Sequence, residues 1–475
     1  MIKNERQYKI TKIAASKFRA TLQSVNAENF EGIDILIKAA AINGIKSQLD
    51  ELDEELKEYE DLKSGQIKFS QASNIEDLPK LLIKARISSG LNQRELGDKL
   101  GLKEQQIQRY EDSEYATASL TKLIEVAEAL DLSINYNAVF GVDDIQLNEI
   151  YRKLDRIGLS QNFVNSRLLT DESRRTNSAS KRFGSFAHFL RKIYSWDAPS
   201  LLGNVSLDVN LTPAMTARFK VRKGQSEVRL SAYTVYAHYL ATAIMPLLPE
   251  VKPNELPNSA ETFYDNVALT YGDMNFESVL RYVWSLGIAV LPLNDRATFD
   301  GAYWREDNKH VIALGQRMKS NSYWLFDLLH DYFHATQHPE SPDNIVIESP
   351  ATSLERREAP DEIAANDFAI EVAMAGQQEI ILEKAHELTG GNIKFLKSKV
   401  PTLASTFGVD VGLLANFLAN QISSDGENWW GTAQQFQGGD NRPWEIARDI
   451  FIENLDFTKL PIDDKKLILL AISEE

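Results

Sequence analysis

The sequence contains no cysteine, which excludes a disulfide framework, thiolate zinc sites, iron–sulfur clusters and a cysteine nucleophile together. Any metal must therefore be held by His, Asp or Glu. No run of 18 apolar residues occurs, and the polar opening MIKNERQYKITK is not followed by a signal-like apolar segment, so the expectation is a soluble, cytoplasmic protein that does not engage membranes. P-loop, GxGxxG and GxSxG elements are absent as well. An excess of positive charge is also missing: 52 Lys+Arg stand against 68 Asp+Glu, a formal net charge of −16. That field repels phosphate and argues against a large non-specific nucleic-acid binder, while leaving room for a basic face on one domain.

What is present is ordinary globular material, 43% hydrophobic and 25% charged over 475 residues, enough for roughly three domains. The expected class is multi-domain and mainly α with α+β character. Residues 1–70 form an N-terminal helical region. Thr11 is a candidate N-cap, Ile33–Ile37 an apolar patch, and Ile45, Leu49, Leu52, Leu56 and Tyr59 repeat at spacings of four and three. The pattern barely lasts three heptads, which favours a helical hairpin over a long coiled coil.

Residues 71–140 hold the first strong motif. Leu78–Ser89 is a periodic helix closed by Gly90; Asn92 caps QRELGDKL, Gly101 breaks it, and Lys103 opens EQQIQRYE. Two short helices about a glycine turn are the core of a helix-turn-helix. A fourth helix, Leu120–Leu130, offers Leu120, Leu123, Ile124, Ala127 and Leu130 to close the small core. Between Lys80 and Asp112 seven basic residues face five acidic ones, a locally basic patch in an acidic chain that favours DNA over a purely protein-binding role.

The string GLNQRELGDKLGLKEQQIQRYEDSEYATASLTKLIEVAEALDLSI resembles the XRE, phage-repressor-like family, whose DNA-binding domain is of a five-helix type. The resemblance implies a phosphate contact at Gln93 and a groove-facing set of Glu104, Gln105, Gln108 and Arg109, with Ile107 in the core. Gln pairs naturally with adenine and Arg with guanine. It also implies that Arg86 and Glu111 form a structural ion pair and not a DNA contact.

Residues 141–257 read as a connector with helices, a basic loop-like stretch from Arg152 to Lys192, and a small β region over 203–230. Beyond it, a helix at Phe276–Leu286 precedes strand-like runs at Ile288–Leu293 and His310–Leu314, and helices begin at Ser322 and Asp361. On the first of these two helices His330 and His334 stand one turn apart on one face, and Glu362 near the start of the second can add a third ligand, leaving a fourth position open. His310 and His338 are decoys, expected on surface or loop.

The stretch LRYVWSLGIAVLPLNDRATFDGAYWREDNKHVIALGQRMKSNSYWLFDLLHDYFHATQHPE, followed by DEIAANDFAIEVAM, resembles the ImmA/IrrE metallopeptidase-like family, a zincin-like fold with a small sheet. The resemblance spans roughly Leu280–Met374, so residues 258–420 are read as that domain and 421–475 as a tail packed on it, where Trp429, Trp430 and Trp444 are expected to serve packing ahead of binding a partner peptide. It implies zinc on His330, His334 and Glu362, with Asn366 orienting an imidazole. The family has glutamate as base between the histidines, whereas this chain has Asp331, a candidate catalytic residue one methylene short. An inactive metal-holding module is therefore expected ahead of an active peptidase or a metal-free scaffold.

Together the two resemblances imply a sequence-specific, autoregulating transcriptional regulator, concretely a homodimeric antitoxin that neutralises a toxin through its C-terminal part. A zinc-dependent regulatory protease and a small-ligand sensor are the alternatives.

Overall fold

A computed structural model describes all residues except 28–34, 65–76, 133–140, 210–224, 296–300, 316–317, 349–358, 425, 439–441 and 475. The chain divides into two compact units, Met1–Ala138 and Val139–Glu475. Among the described residues no helix is long and apolar enough to cross a membrane.

The first unit begins with a helical hairpin, α1 (Glu5–Ala27) and α2 (Ile35–Lys63). Helix α1 starts six residues before Thr11, because Asn4 already accepts from the Gln7 amide at 3.0 Å and so supplies the cap. The patch at residues 33–37 has side chains outside the described set. Leu56, Tyr59 and Leu62 on α2 are buried against α3 (Leu78–Ser88), in line with the repeat read from the sequence. Helices α4 (Gln93–Leu100), α5 (Glu104–Asp112) and α6 (Leu120–Ala129) follow. A full capping box joins Asn92 and Glu95 at the start of α4, and Gly101, at φ +66°, ends it in the left-handed conformation. Ile107, Ala127 and Leu130 close the core as expected, with Leu123 partly buried against it and Val126 buried beside them, but Leu120 and Ile124 do not: they lie on the outer face of α6, 60% and 49% exposed. Of the five helices expected here, four lie among the described residues.

In the second unit one core runs from Val142 to Ile472. The stretch expected as a basic loop is helical, comprising α7 (Asp144–Arg156), α8 (Gln161–Arg167), a one-turn helix at Asp171–Arg175 and α9 (Ala179–Tyr194). Phe183, Phe186, Leu190 and Ile193 form a buried stripe on α9 between its basic residues, and Asp143, Ser160 and Ser178 cap the three longer helices. In the region expected to be β, residues 203–209 carry no strand and Gln225–Leu230 already belong to α10 (Gln225–Ile244); the rest lies outside the described residues.

Helices α11 (Ala260–Tyr271) and α12 (Phe276–Ser285) lead into a four-stranded mixed sheet of β1 (Ile288–Pro292), β2 (Gly301–Glu306), β3 (Lys309–Leu314) and β4 (Asn344–Glu348). The order is β1-β3-β2-β4, with β1 parallel to β3 and the other pairs antiparallel. Between β3 and β4 in sequence lies α13 (Asn321–Thr336), which packs against β2, β3 and α14 (Pro360–Ala373). Most of α13 is buried, which matches its apolar residues all round. Helices α15 (Gln378–Thr389), α16 (Ile393–Phe407), α17 (Val411–Ser424), α18 (Pro443–Asn454) and α19 (Ile462–Ala471) complete the unit. Trp429 is buried and stacks on Phe436, and the Trp444 indole donates to the Pro292 carbonyl at 3.3 Å, so both serve packing.

Candidate DNA-reading helix and metal centre

In the first unit α4 and α5 meet closely because Gly97 has no side chain: a Cβ there would lie 2.7 Å from the Leu102 carbonyl oxygen. Sequence reading passed over this residue, although a glycine inside an eight-residue helix was a signal for close backbone approach. Ile107 anchors α5 from below. Glu104, Gln105, Gln108 and Arg109 are all exposed and share one side of the helix, opposite Ile107. Gln106, also exposed, is committed to capping: its side chain accepts from the Lys103 amide at 3.1 Å. Glu104 occupies the first turn, where a carboxylate favours the helix dipole whatever else it contacts.

Gln93 is placed differently from its expected role. It is buried, and its Nε2 donates to Glu111 at 2.7 Å, so the side chain belongs to the interior. Glu111 is the centre of that group. Arg86 donates to it from Nε at 2.5 Å and from Nη2 at 2.8 Å, and the same guanidinium donates to the carbonyls of Leu91 and Lys3 at 2.7 and 2.6 Å. The Lys3 ammonium closes the ring on the Glu111 carbonyl at 2.6 Å. Arg86 and Glu111 thus form a buried, fully partnered ion pair tying α3, the N-terminal segment and the end of α5.

In the second unit α13 and α14 bring together His330, His334 and Glu362, whose donor atoms all lie within 4.8 Å of one another. The two Nε2 atoms are 3.2 Å apart, and Glu362 oxygens stand 3.4 Å from His330 Nε2 and 3.9 Å from His334 Nε2. Zinc–nitrogen bonds of about 2.0–2.1 Å give a tetrahedral edge of about 3.4 Å, so this spacing fits a shared ion. All three residues are buried. Asn366, one turn beyond Glu362, places Oδ1 3.1 Å from His330 Nδ1; accepting there fixes the proton on Nδ1 and turns the Nε2 lone pair to the cluster. Asp331 is also buried, on α13 between the histidines.

The decoy histidines part company. His338 is an exposed loop residue beside Glu340. His310 is fully buried in β3 instead of at the surface: Nε2 donates to the Val251 carbonyl at 2.6 Å and Nδ1 accepts from the Tyr303 hydroxyl at 2.8 Å. Burial, reinforced by the nearby Arg305 charge, pushes its pKa down to about 4.

Residues 82–137 match the family model described as helix-turn-helix. They form a DNA-binding helix-turn-helix of the XRE type, the module of transcription regulators. No curated protein and no solved structure matches the chain. In this module α4 and α5 are the two helices about the turn.

Proposed function

We propose that the chain is a sequence-specific transcriptional regulator that reads its operator with Glu104, Gln105, Gln108 and Arg109. The observation that carries this reading is the exposed side of α5: two amides and one guanidinium stand free of the core, while Gln106 and Glu111 beside them are committed to internal contacts. Bidentate amide and guanidinium groups are the side chains that distinguish adenine and guanine in the major groove. Gln93 acts through the backbone amides at the start of α4 and not through its own buried side chain. Two copies bind an inverted repeat upstream of the chain's own gene. Selection of sites from random duplexes by the full-length protein tests this: a recovered palindromic consensus supports it, and recovery of unrelated sequences overturns it.

The second unit, in the same reading, is an ImmA/IrrE-like module that holds zinc on His330, His334 and Glu362, with Asn366 orienting His330. When bound, zinc supplies Lewis acidity toward water or a carbonyl. The buried three-donor set supports metal binding; Asp331 in place of the family's glutamate supports a holding role over peptidase turnover. This unit contacts a partner protein, a toxin in the concrete case, and the regulator is then an autoregulating antitoxin. Elemental analysis of protein purified without chelator tests the metal: about one zinc per chain is expected from a three-ligand site, and its absence from the wild type overturns the zinc assignment.

A further inference from the structure

Gly301 opens β2, and its backbone is that of an ordinary strand and not of the left-handed region that glycine serves elsewhere in this chain. Conformation therefore does not demand glycine there. Room does. A Cβ built on Gly301 would meet Asp331 Oδ2 at 2.4 Å, Cγ at 3.2 Å and Oδ1 at 3.3 Å, so the whole carboxylate lies over the Gly301 backbone. The alternation of a strand puts residues 301, 303 and 305 on one face. Arg305 confirms which face it is: its guanidinium donates to the Ala335, Gln337 and His338 carbonyls at the end of α13, at 3.2, 3.0 and 2.9 Å. Gly301 and Asp331 are thus opposed across the β2–α13 interface, with Asp331 almost completely buried.

We propose that β2 sets the length of the acid at position 331: Gly301 reserves the space that the Asp331 carboxylate fills, so the site accepts aspartate and excludes glutamate. An added methylene extends the side chain by about 1.5 Å. With the strand backbone already against the carboxylate, the extra length has to be absorbed by moving α13 or by an off-rotamer side chain, and either shifts the helix that carries His330 and His334. Gly301 is a positioning residue. It acts through Asp331.

The inference rests on reading His330, His334 and Glu362 as a metal site only where it concerns the ligands; the packing itself stands apart from metal. The experiment is a double-mutant cycle on the full-length chain, with Gly301→Ala, Asp331→Ala and the combination, read by thermal unfolding with and without chelator. Gly301→Ala should lower the unfolding midpoint of the second unit by several degrees in the Asp331 background and by little or nothing in the Asp331→Ala background. Equal losses in both backgrounds, or no loss in either, overturn the proposal. Asp331→Glu should also lower the midpoint, and wild-type stability in that variant overturns it even if the alanine variants fail to fold. Cobalt substitution supplies the second readout: Gly301→Ala should alter the visible absorption of the bound ion, and Gly301→Ala with Asp331→Ala should reproduce the spectrum of Asp331→Ala alone. If cobalt does not bind the wild type, the metal assignment falls while the stability cycle still decides the Gly301–Asp331 pair.

Discussion

At the scale of single residues, the two units bury charge and proton-binding groups in opposite ways. Glu111 is buried and accepts from Arg86 and Gln93. Removing it leaves the Arg86 guanidinium buried without its carboxylate. Glu111→Ala should therefore destabilise the first unit by about 3–5 kcal/mol, as breaking a buried pair does, and urea unfolding followed by circular dichroism measures it. His310 is buried neutral, with both ring nitrogens already used. Its folded pKa of about 4 lies below the unfolded value of about 6.5. The unfolded chain binds the proton more tightly, so the stability held by neutral His310 is complete above pH ~6.5 and is lost as pH falls toward 4, up to about 3 kcal/mol. Unfolding free energies of the wild type and His310→Gln at pH 7 and pH 5 check the sign: the wild type should show the steeper acid loss, and parallel slopes would contradict it.

At the scale of elements, the contact between α4 and α5 sets how the proposed reading helix is held. Gly97→Ala presses a methyl group on the Leu102 carbonyl, and overpacking of this kind costs about 1–3 kcal/mol. Specific DNA binding should fall sharply while the second unit keeps its unfolding midpoint. On the α13–α14 pair, His334→Ala should abolish metal retention, and Asn366→Ala should weaken it by about 10–100-fold, as competition with a chromophoric chelator would show. Much of this was legible in the sequence because it depends on local rules. Asn92, Glu95 and Gly101 write the ends of α4 by capping chemistry alone, and the four-residue spacing of His330 and His334 puts both on one helix face. The approach of Glu362 to them is tertiary, and the sequence offered it only as a ligand that the next helix can bring. Tertiary packing also defeated the reading elsewhere. Leu120 and Ile124 have the periodicity of core residues yet face outward. His310 is expected as a surface or loop histidine but is buried and pairs with Tyr303 and Val251 from other segments. Gln93 sits where a phosphate ligand belongs, yet Glu111, 18 residues later, claims its side chain. The helices between Arg152 and Lys192 were hidden by their basic residues, which mask the buried stripe of Phe183, Phe186 and Leu190.

At the scale of the whole molecule, the net charge of −16 and the basic patch of the helix-turn-helix pull in opposite directions near DNA. Affinity must then come from a few placed contacts, and it should fall steeply with salt in proportion to the phosphates engaged. The proposed division of labour predicts that full-length protein carrying Arg109→Ala still neutralises a co-expressed partner, because the proposal assigns that contact to the second unit. Loss of protection in this variant would assign partner binding to the DNA-reading unit instead. The central claim, that α5 reads sequence, is tested most directly by the affinity of the full-length protein for the region upstream of its own gene against an unrelated duplex of equal length, at one fixed salt concentration. Wild type should prefer the upstream region, and Arg109→Ala should lose about 1–3 kcal/mol of that preference while its binding to the unrelated duplex changes far less. Equal affinity of the wild type for both duplexes, or an Arg109→Ala variant that retains the full preference, would contradict it.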